Sequence, residues 1–290
     1  MGSLDGLVRT FDWKASFPRV VDILRLDPAE QEREAHLQTL ISDLRQKIIV
    51  IVGPYGAGKS VLSSKMVGPH VVKVGEFAGY LRKNPYFFDL DIFKGKTLVC
   101  EAHPVFLMLD YRGALGIDPY LIERPFLADD LVGEILREGM KVPFEMVPSF
   151  VELIAGSTES IFRLGHRLSS TRFSLDYDEQ EHGLSQGLVS SLRIDSNFIP
   201  KSVANYDTQH KAGAFLRRVH FGEATPEEIA EHLPLMVRMG FVVENDSGVR
   251  LRSPLIRSLF DSNGQSAYVH PLSSDSEASG GGDTVVYVHV

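Results

Sequence analysis

The residues with the most specific chemistry run Gly53-Pro54-Tyr55-Gly56-Ala57-Gly58-Lys59-Ser60, a complete G-x-x-x-x-G-K-S spacing. Glycines at these positions let backbone N–H groups converge on phosphate oxygens. Lys59 brings a positive charge to the β- and γ-phosphates, and Ser60 offers a hydroxyl ligand to Mg²⁺. A helix opening near Lys59 would turn its positive end toward the same anion. The stretch Gly53–Val61 is therefore expected to hold a nucleoside triphosphate, ATP with Mg²⁺.

Triphosphate chemistry also needs a carboxylate near the metal, and often one that orients the attacking water. Two places compete. Thr97-Leu-Val-Cys-Glu-Ala-His103 has the Asp-Glu-Ala-His form with cysteine in the aspartate position. Glu101 is then the water-orienting base, and the metal-side carboxylate is missing. Alternatively, Val105-Phe-Leu-Met-Leu-Asp110 is an apolar strand ending in an acid, and Asp110 serves the metal. Either could also be a buried strand that ends at an ordinary surface acid.

Three other patterns lose on context. Asp110-Tyr-Arg-Gly113 fits D-x-x-G, but no N-K-x-D base-reading motif follows. Gly183-Leu-Ser-Gln-Gly187 fits G-x-S-x-G, but the residues before it, Asp176–His182, are polar where a nucleophile elbow needs an apolar strand. The 10 histidines never fall at H-E-x-x-H spacing, so a zinc hydrolase is unsupported.

The elements that must position the loop are legible around it. Leu37, Leu40, Ile41 and Leu44 form a helical stripe. Lys47 opens the run Ile48–Val52, which is apolar on both faces and β-branched, as in a central parallel strand. Lys59–Val67 reads as a helix. Val71–Val74, Thr97–Cys100, Val105–Leu109, Val151–Ala155 and Arg172–Leu175 read as strands, and Ala128–Glu138 and Ile161–Leu168 as helices. This alternation predicts an α/β domain of three layers around a mostly parallel sheet.

After about residue 200 the pattern changes. Ala212–His220 is helical. Thr225-Pro-Glu-Glu is a strong helix start, and Pro234 is expected to break the helix that follows. Phe241–Glu244 and Val249–Arg252 form a hairpin around Asn245-Asp-Ser-Gly248, and Pro254–Phe260 returns to helix. Helices, a hairpin and a closing helix make a winged-helix pattern. The expected organisation is an N-terminal segment (1–27), the nucleotide-binding domain (28–205), a winged helix (206–260) and a Ser/Gly-rich acidic tail with a strand-like end (261–290).

Composition narrows the class. A net charge of −8 argues against sequence-independent nucleic-acid binding. The single cysteine, Cys100, excludes an internal disulfide and a multi-cysteine zinc site. No run approaches the roughly 18 apolar residues of a membrane span, and Met1–Lys14 has no signal-peptide pattern. Gly6 stands where a myristoylation signal needs Ser or Thr. An intracellular protein, cytoplasmic or nuclear and off the membrane, is expected.

Several blocks in order strengthen the nucleotide reading: Arg33-Glu34 with the Leu37–Leu44 helix, then Lys47–Ser60, Ser149–Ser157 before a helix, Ser170-Thr-Arg172-Phe, and the winged-helix pattern. Over about residues 30–260 the chain resembles the AAA-like and STAND-type ATPases with a C-terminal winged helix, and somewhat the NTPase part of Crinkler-type effectors. The resemblance implies that Ser157 sits at a sensor position on the strand after the acidic one. It also makes Arg172 a γ-phosphate contact or transferred finger. With Lys59, Glu101 and Asp110, these are the catalytic candidates.

The function implied is a slow Mg²⁺-dependent ATPase acting as a switch, with a protein partner or a second copy of the chain. The winged helix is expected to pack and regulate rather than bind nucleic acid, because residues 211–257 mix arginines with many acids. A non-hydrolysing interaction module is the alternative. A small-molecule phosphotransferase would need an arginine-rich lid, and no such cluster lies between Lys59 and Gly156.

Overall fold

In the computed structural model, residues 11–42, 47–76, 95–104, 119–169, 209–245 and 248–261 are described. Strand β1 (Lys47–Val52) is buried at every position, as its two apolar faces require. It pairs in parallel with β3 (Thr97–Ala102) on one side and β4 (Tyr120–Glu123) on the other. β2 (Val71–Glu76) lies outside β3, so the parallel order is β2-β3-β1-β4.

Two helices pack on this sheet, and a third, at the N-terminal end of the described residues, packs in a helical core beside it. Helix α1 (Trp13–Leu26) is capped by Asp12, whose Oδ1 accepts the N–H groups of Lys14 and Ala15. Pro18 inside it obscures the helical pattern in sequence. Trp13 and Val20 join the largest core with Ile135, Leu136, Phe150 and Leu164. The described part of the N-terminal segment, from Phe11 on, thus packs in that core. Helix α2 (Pro28–Ser42) puts Leu37 and Ile41 against Ile49, Ile51 and Met66, and α3 (Lys59–Ser64) follows the Gly-rich loop.

Helix α4 (Asp129–Glu134) runs into a π turn at Ile135–Gly139. Gly139 sits there because a Cβ would come 2.8 Å from Val20 Cγ2. The strand expected at Val151–Ala155 is instead helix α5 (Val147–Ile154), ended by Ala155 in the left-handed conformation. Its buried residues Val147, Phe150, Leu153 and Ile154 follow helical spacing, which begins before the apolar run taken alone. Helix α6 (Thr158–Leu168) comes next.

The C-terminal part has its own core of Phe215, Leu216, Met236, Met239, Phe241 and Val242. Helix α7 (Gln209–Phe221) leads to α8 (Pro226–Arg238), which opens with a reciprocal capping box between Thr225 and Glu228. Pro234 does not break α8. One continuous helix passes through it, with His232 and Met236 buried on either side. Burial on both sides of the proline offsets its missing hydrogen bond. Strands β5 (Val242–Asn245) and β6 (Gly248–Leu251) form the antiparallel hairpin, and α9 (Pro254–Asp261) closes the unit.

The two cores meet at the end of α5. Ser253 Oγ donates to Leu153 O at 2.9 Å, and Arg252 Nε donates to Ala155 O at 2.9 Å. Arg257 pairs with Glu152 at 2.8 Å. Among the described residues no helix is long and apolar enough to cross a membrane. The strands expected at Val105–Leu109 and Arg172–Leu175, and the tail from residue 262, lie outside the described residues.

Candidate nucleotide site

The loop between β1 and α3 is built on left-handed glycines. Gly56 has φ 77° and Gly58 φ 86°, values that side chains with a Cβ rarely adopt. Lys59 folds back along the loop, its Nζ donating to Gly53 O at 2.9 Å and Pro54 O at 2.8 Å. Its charge is therefore held over the concave face of backbone.

Glu101 stands opposite, near the end of β3. Its Oε2 accepts the Ser60 hydroxyl at 2.7 Å, and its Oε1 accepts the Ser63 hydroxyl at 2.6 Å. Adjacent strand residues face opposite sides, so Cys100 points into the core instead. It is fully buried, and burial pushes its thiol pKa well up. The sequence left the acid on β3 as a water-orienting base without a metal-side carboxylate. In the fold that same acid touches the Ser60 hydroxyl. Among the described residues no group of three or more His, Cys, Asp or Glu is placed to hold a metal ion by itself. The donor set suits Mg²⁺ all the same, because that ion takes one or two protein oxygens and completes its shell with phosphate oxygens and water.

The far wall is α6. Ser157 is its N-cap, not a strand residue, and accepts the Ser160 N–H. It still reaches the loop, for its hydroxyl donates to Gly56 O at 3.5 Å. Thr158 Oγ1 donates to Ala57 O at 3.4 Å, and the Glu159 N–H donates to Gly56 O at 3.1 Å. The start of α6 thus braces the loop carbonyls of Gly56 and Ala57.

Two further residues lie at the site: His103, read in sequence only as the last residue of the Asp-Glu-Ala-His form, and Arg124, which the sequence did not mark. His103 stacks on Tyr55 with ring centroids 6.5 Å apart. Its pKa falls to about 3, first through burial and then through the charge of Lys59, so the imidazole is neutral at pH 7. Arg124 follows β4, its N–H donating to Val52 O at 2.7 Å. Its side chain is 6 % exposed and pairs with Glu30 of α2, which also pairs with Arg33. Burial lowers the Arg124 pKa, and the Glu30 charge opposes that shift.

These walls enclose a cavity of about 540 Å³, lined by Gly56, Gly58, Lys59, Ser60, Glu101 and His103 at one end and by residues of α6 at the other. That volume is in the range of small-molecule sites. Asp110 and Arg172, the other catalytic candidates, lie outside the described residues.

The chain aligns with the Walker-type ATPase PABY2304 of Pyrococcus abyssi over 79% of its own length and 94% of that chain, at 11% identity and a TM-score of 0.50. The fold is that of the P-loop NTPases. RuvB of Thermotoga maritima (13% identity, 78% of this chain and 91% of that one, TM-score 0.39) and Cdc6p of Pyrobaculum aerophilum (12%, 80% and 92%, 0.36) align more loosely. At 11% identity the likeness to the Pyrococcus abyssi protein speaks to the fold and not to substrate or partner. No protein-family model matches this chain, and no curated sequence does.

Proposed function

We propose that this P-loop protein binds ATP with Mg²⁺ and acts as a slowly hydrolysing switch. The observation that carries the reading is the meeting of Ser60 and Glu101 at 2.7 Å in a cavity that Gly56, Gly58 and Lys59 of the loop also line. Lys59 would leave the loop carbonyls for the β- and γ-phosphates. Ser60 and Glu101 would hold Mg²⁺, which when bound screens the phosphate charge.

Slow turnover follows from what remains to activate water. Glu101 is committed to two hydroxyls, Glu159 is paired with Arg163, and His103 has a pKa near 3. A base that weak takes a proton poorly at neutral pH. Asp110 and Arg172 are the further candidates to supply the missing carboxylate and finger.

The switch would be read by the C-terminal unit, taken as a regulatory winged helix. Support comes from Tyr55, which belongs to the loop yet packs against the C-terminal core. A phosphate that reshapes the loop would move this contact. A protein partner or a second copy of the chain, rather than nucleic acid, would then sense it, inside the cell.

Calorimetric titration with MgATP, with Lys59→Ala alongside, tests binding. Micromolar or tighter binding by the wild type, lost in the mutant, is expected. Unchanged affinity in Lys59→Ala would overturn the assignment. Steady-state phosphate release then separates a slow ATPase from a nucleotide-binding module without turnover.

A further inference from the structure

A second cavity, of about 290 Å³, lies at the foot of the phosphate loop, where Gly53 and Pro54 line it together with the end of α8. It shares no lining residue with the nucleotide cavity. Pro54 and Pro104 line this one, and their chain neighbours Tyr55 and His103 line the other. The two cavities adjoin at these two segments but have different walls.

Three arginines line the second cavity against one carboxylate, Glu123. Arg124 follows β4, Arg252 follows β6 and Arg238 ends α8, so both units of the chain contribute. Arg124 pairs with Glu30, yet its buried Nε has no hydrogen-bond partner. Arg252 donates to Ala155 O and lies 5.2 Å over the Phe126 ring, but among the described residues no carboxylate forms an ion pair with it. Arg238 is exposed, and its side chain makes no hydrogen bond or ion pair among the described residues. Cations grouped in this way repel one another, and burial adds to the cost. Burial lowers the pKa of both Arg124 and Arg252. A bound dianion offsets both effects.

We infer that this cavity is an oxyanion site, in which Arg124, Arg238 and Arg252 together hold a dianionic phosphate group. Guanidinium forks match phosphate oxygens. Donors arriving on three separate elements suit a tetrahedral oxyanion, which offers acceptors in several directions, whereas a carboxylate presents two oxygens in one plane. Phe126 gives the cavity an apolar side as well, so free phosphate and a small phosphate ester share the chemistry it recognises. The site does not depend on the nucleotide reading, because Lys59, Ser60 and Glu101 do not line it. An anion held there ties α8 and β6 of the C-terminal unit to Arg124 at the foot of the loop.

The test is equilibrium dialysis of labelled inorganic phosphate against the full chain, at alkaline pH and with chloride at matched ionic strength. Phosphate also suits the Gly-rich loop, so Lys59→Ala and Arg238→Ala are measured beside the wild type. Lys59→Ala should keep a phosphate site of millimolar or better affinity. Adding Arg238→Ala should weaken that site at least about ten-fold, the loss expected of one charge-assisted donor. Arg238 is exposed and unpaired among the described residues, so the fold should not suffer. Arg238→Lys, which keeps the charge but not the fork, should lie between.

Unlabelled glycerol phosphate separates the two sources. Displacement of the label at or below the concentration that inorganic phosphate needs marks an ester as the ligand, and displacement only above it marks free phosphate. Either result is binding at this site. Phosphate binding abolished by Lys59→Ala would place the anion in the loop and overturn the second site. So would an affinity that Arg238→Ala leaves unchanged. A wild type that binds no phosphate overturns it too, while titration with MgATP judges the loop separately.

Discussion

The carbonyl oxygen of Arg124 lies 2.1 Å from the point a β-carbon on Gly53 would occupy. The first glycine of the loop is therefore required by the strand beside it rather than by phosphate. Its N–H donates to Ala102 O, and β4 closes over it. Gly53→Ala must push β1 and β4 apart at the bottom of the loop. We expect a loss of about 1–3 kcal/mol in stability by urea denaturation. Gly58→Ala should act differently, through the strain of φ 86° at the phosphate-facing backbone. Its effect should appear mainly in MgATP affinity.

Glu101→Gln keeps the size of the side chain but removes the charge beside Ser60. MgATP affinity should fall about 10- to 100-fold, the range seen when a metal's supporting group is lost, with little change for ATP in excess EDTA. Asp110→Asn provides the comparison. If the metal depends on Asp110 instead, the loss of Mg²⁺ dependence will appear in that variant and not in Glu101→Gln.

The roles of these acids show what sequence could and could not supply. The phosphate loop and β1 were legible because a central parallel strand must be apolar on both faces, and because few sequences place Gly53, Gly58, Lys59 and Ser60 at this spacing, between a strand and a helix, by chance. The capping box at Thr225 and Glu228 was legible for a similar reason, since two residue types at fixed spacing satisfy each other. β4 was not legible. It has four residues, and only Ile122 among them is buried, so neither alternation nor an apolar run marks it. α5 was misread because Val151–Ala155, apolar except for Glu152, fits a strand and a helix equally well until Val147 and Phe150 are counted. The position of Glu101 depended on which face of β3 meets α3. Ser157 was expected on a strand and reaches the loop from a helix cap, because the contact depends on backbone carbonyls that sequence does not show.

The buried histidine predicts a pH dependence. The pKa of His103 is lowered in the folded protein from 6.5 to about 3, so the folded state binds its proton less readily than the unfolded chain. The stability this contributes is fully present above pH 6.5. It is lost as pH falls from there toward 3. We expect about 1 kcal/mol to be gone by pH 5, after allowance for partial exposure. His103→Gln should flatten the melting temperature between pH 5 and 7. A wild-type curve no steeper than that of the variant would show that the imidazole is not held neutral by the fold.

The last prediction concerns the buried arginine. Arg124 and Arg33 share one carboxylate, Glu30, whose side chain is 13 % exposed. Burying an ion pair gains little, because desolvation of both charges opposes their attraction, but stranding one partner is costly. The two ends of this pair are not equivalent. Glu30→Ala leaves Arg124 without its counter-charge and beside Arg33, so it should cost about 3 kcal/mol or more. Arg124→Met removes the buried cation and leaves Glu30 paired with Arg33, so it should cost much less. Urea denaturation of both single variants and the double variant reads the asymmetry. The double variant should be more stable than Glu30→Ala alone, since removing the stranded charge relieves its penalty. Equal losses in the two single variants, with strict additivity in the double, would mean that Arg124 is solvated in the native state. The guanidinium would then not be the fixed link between α2, β4 and the underside of the phosphate loop.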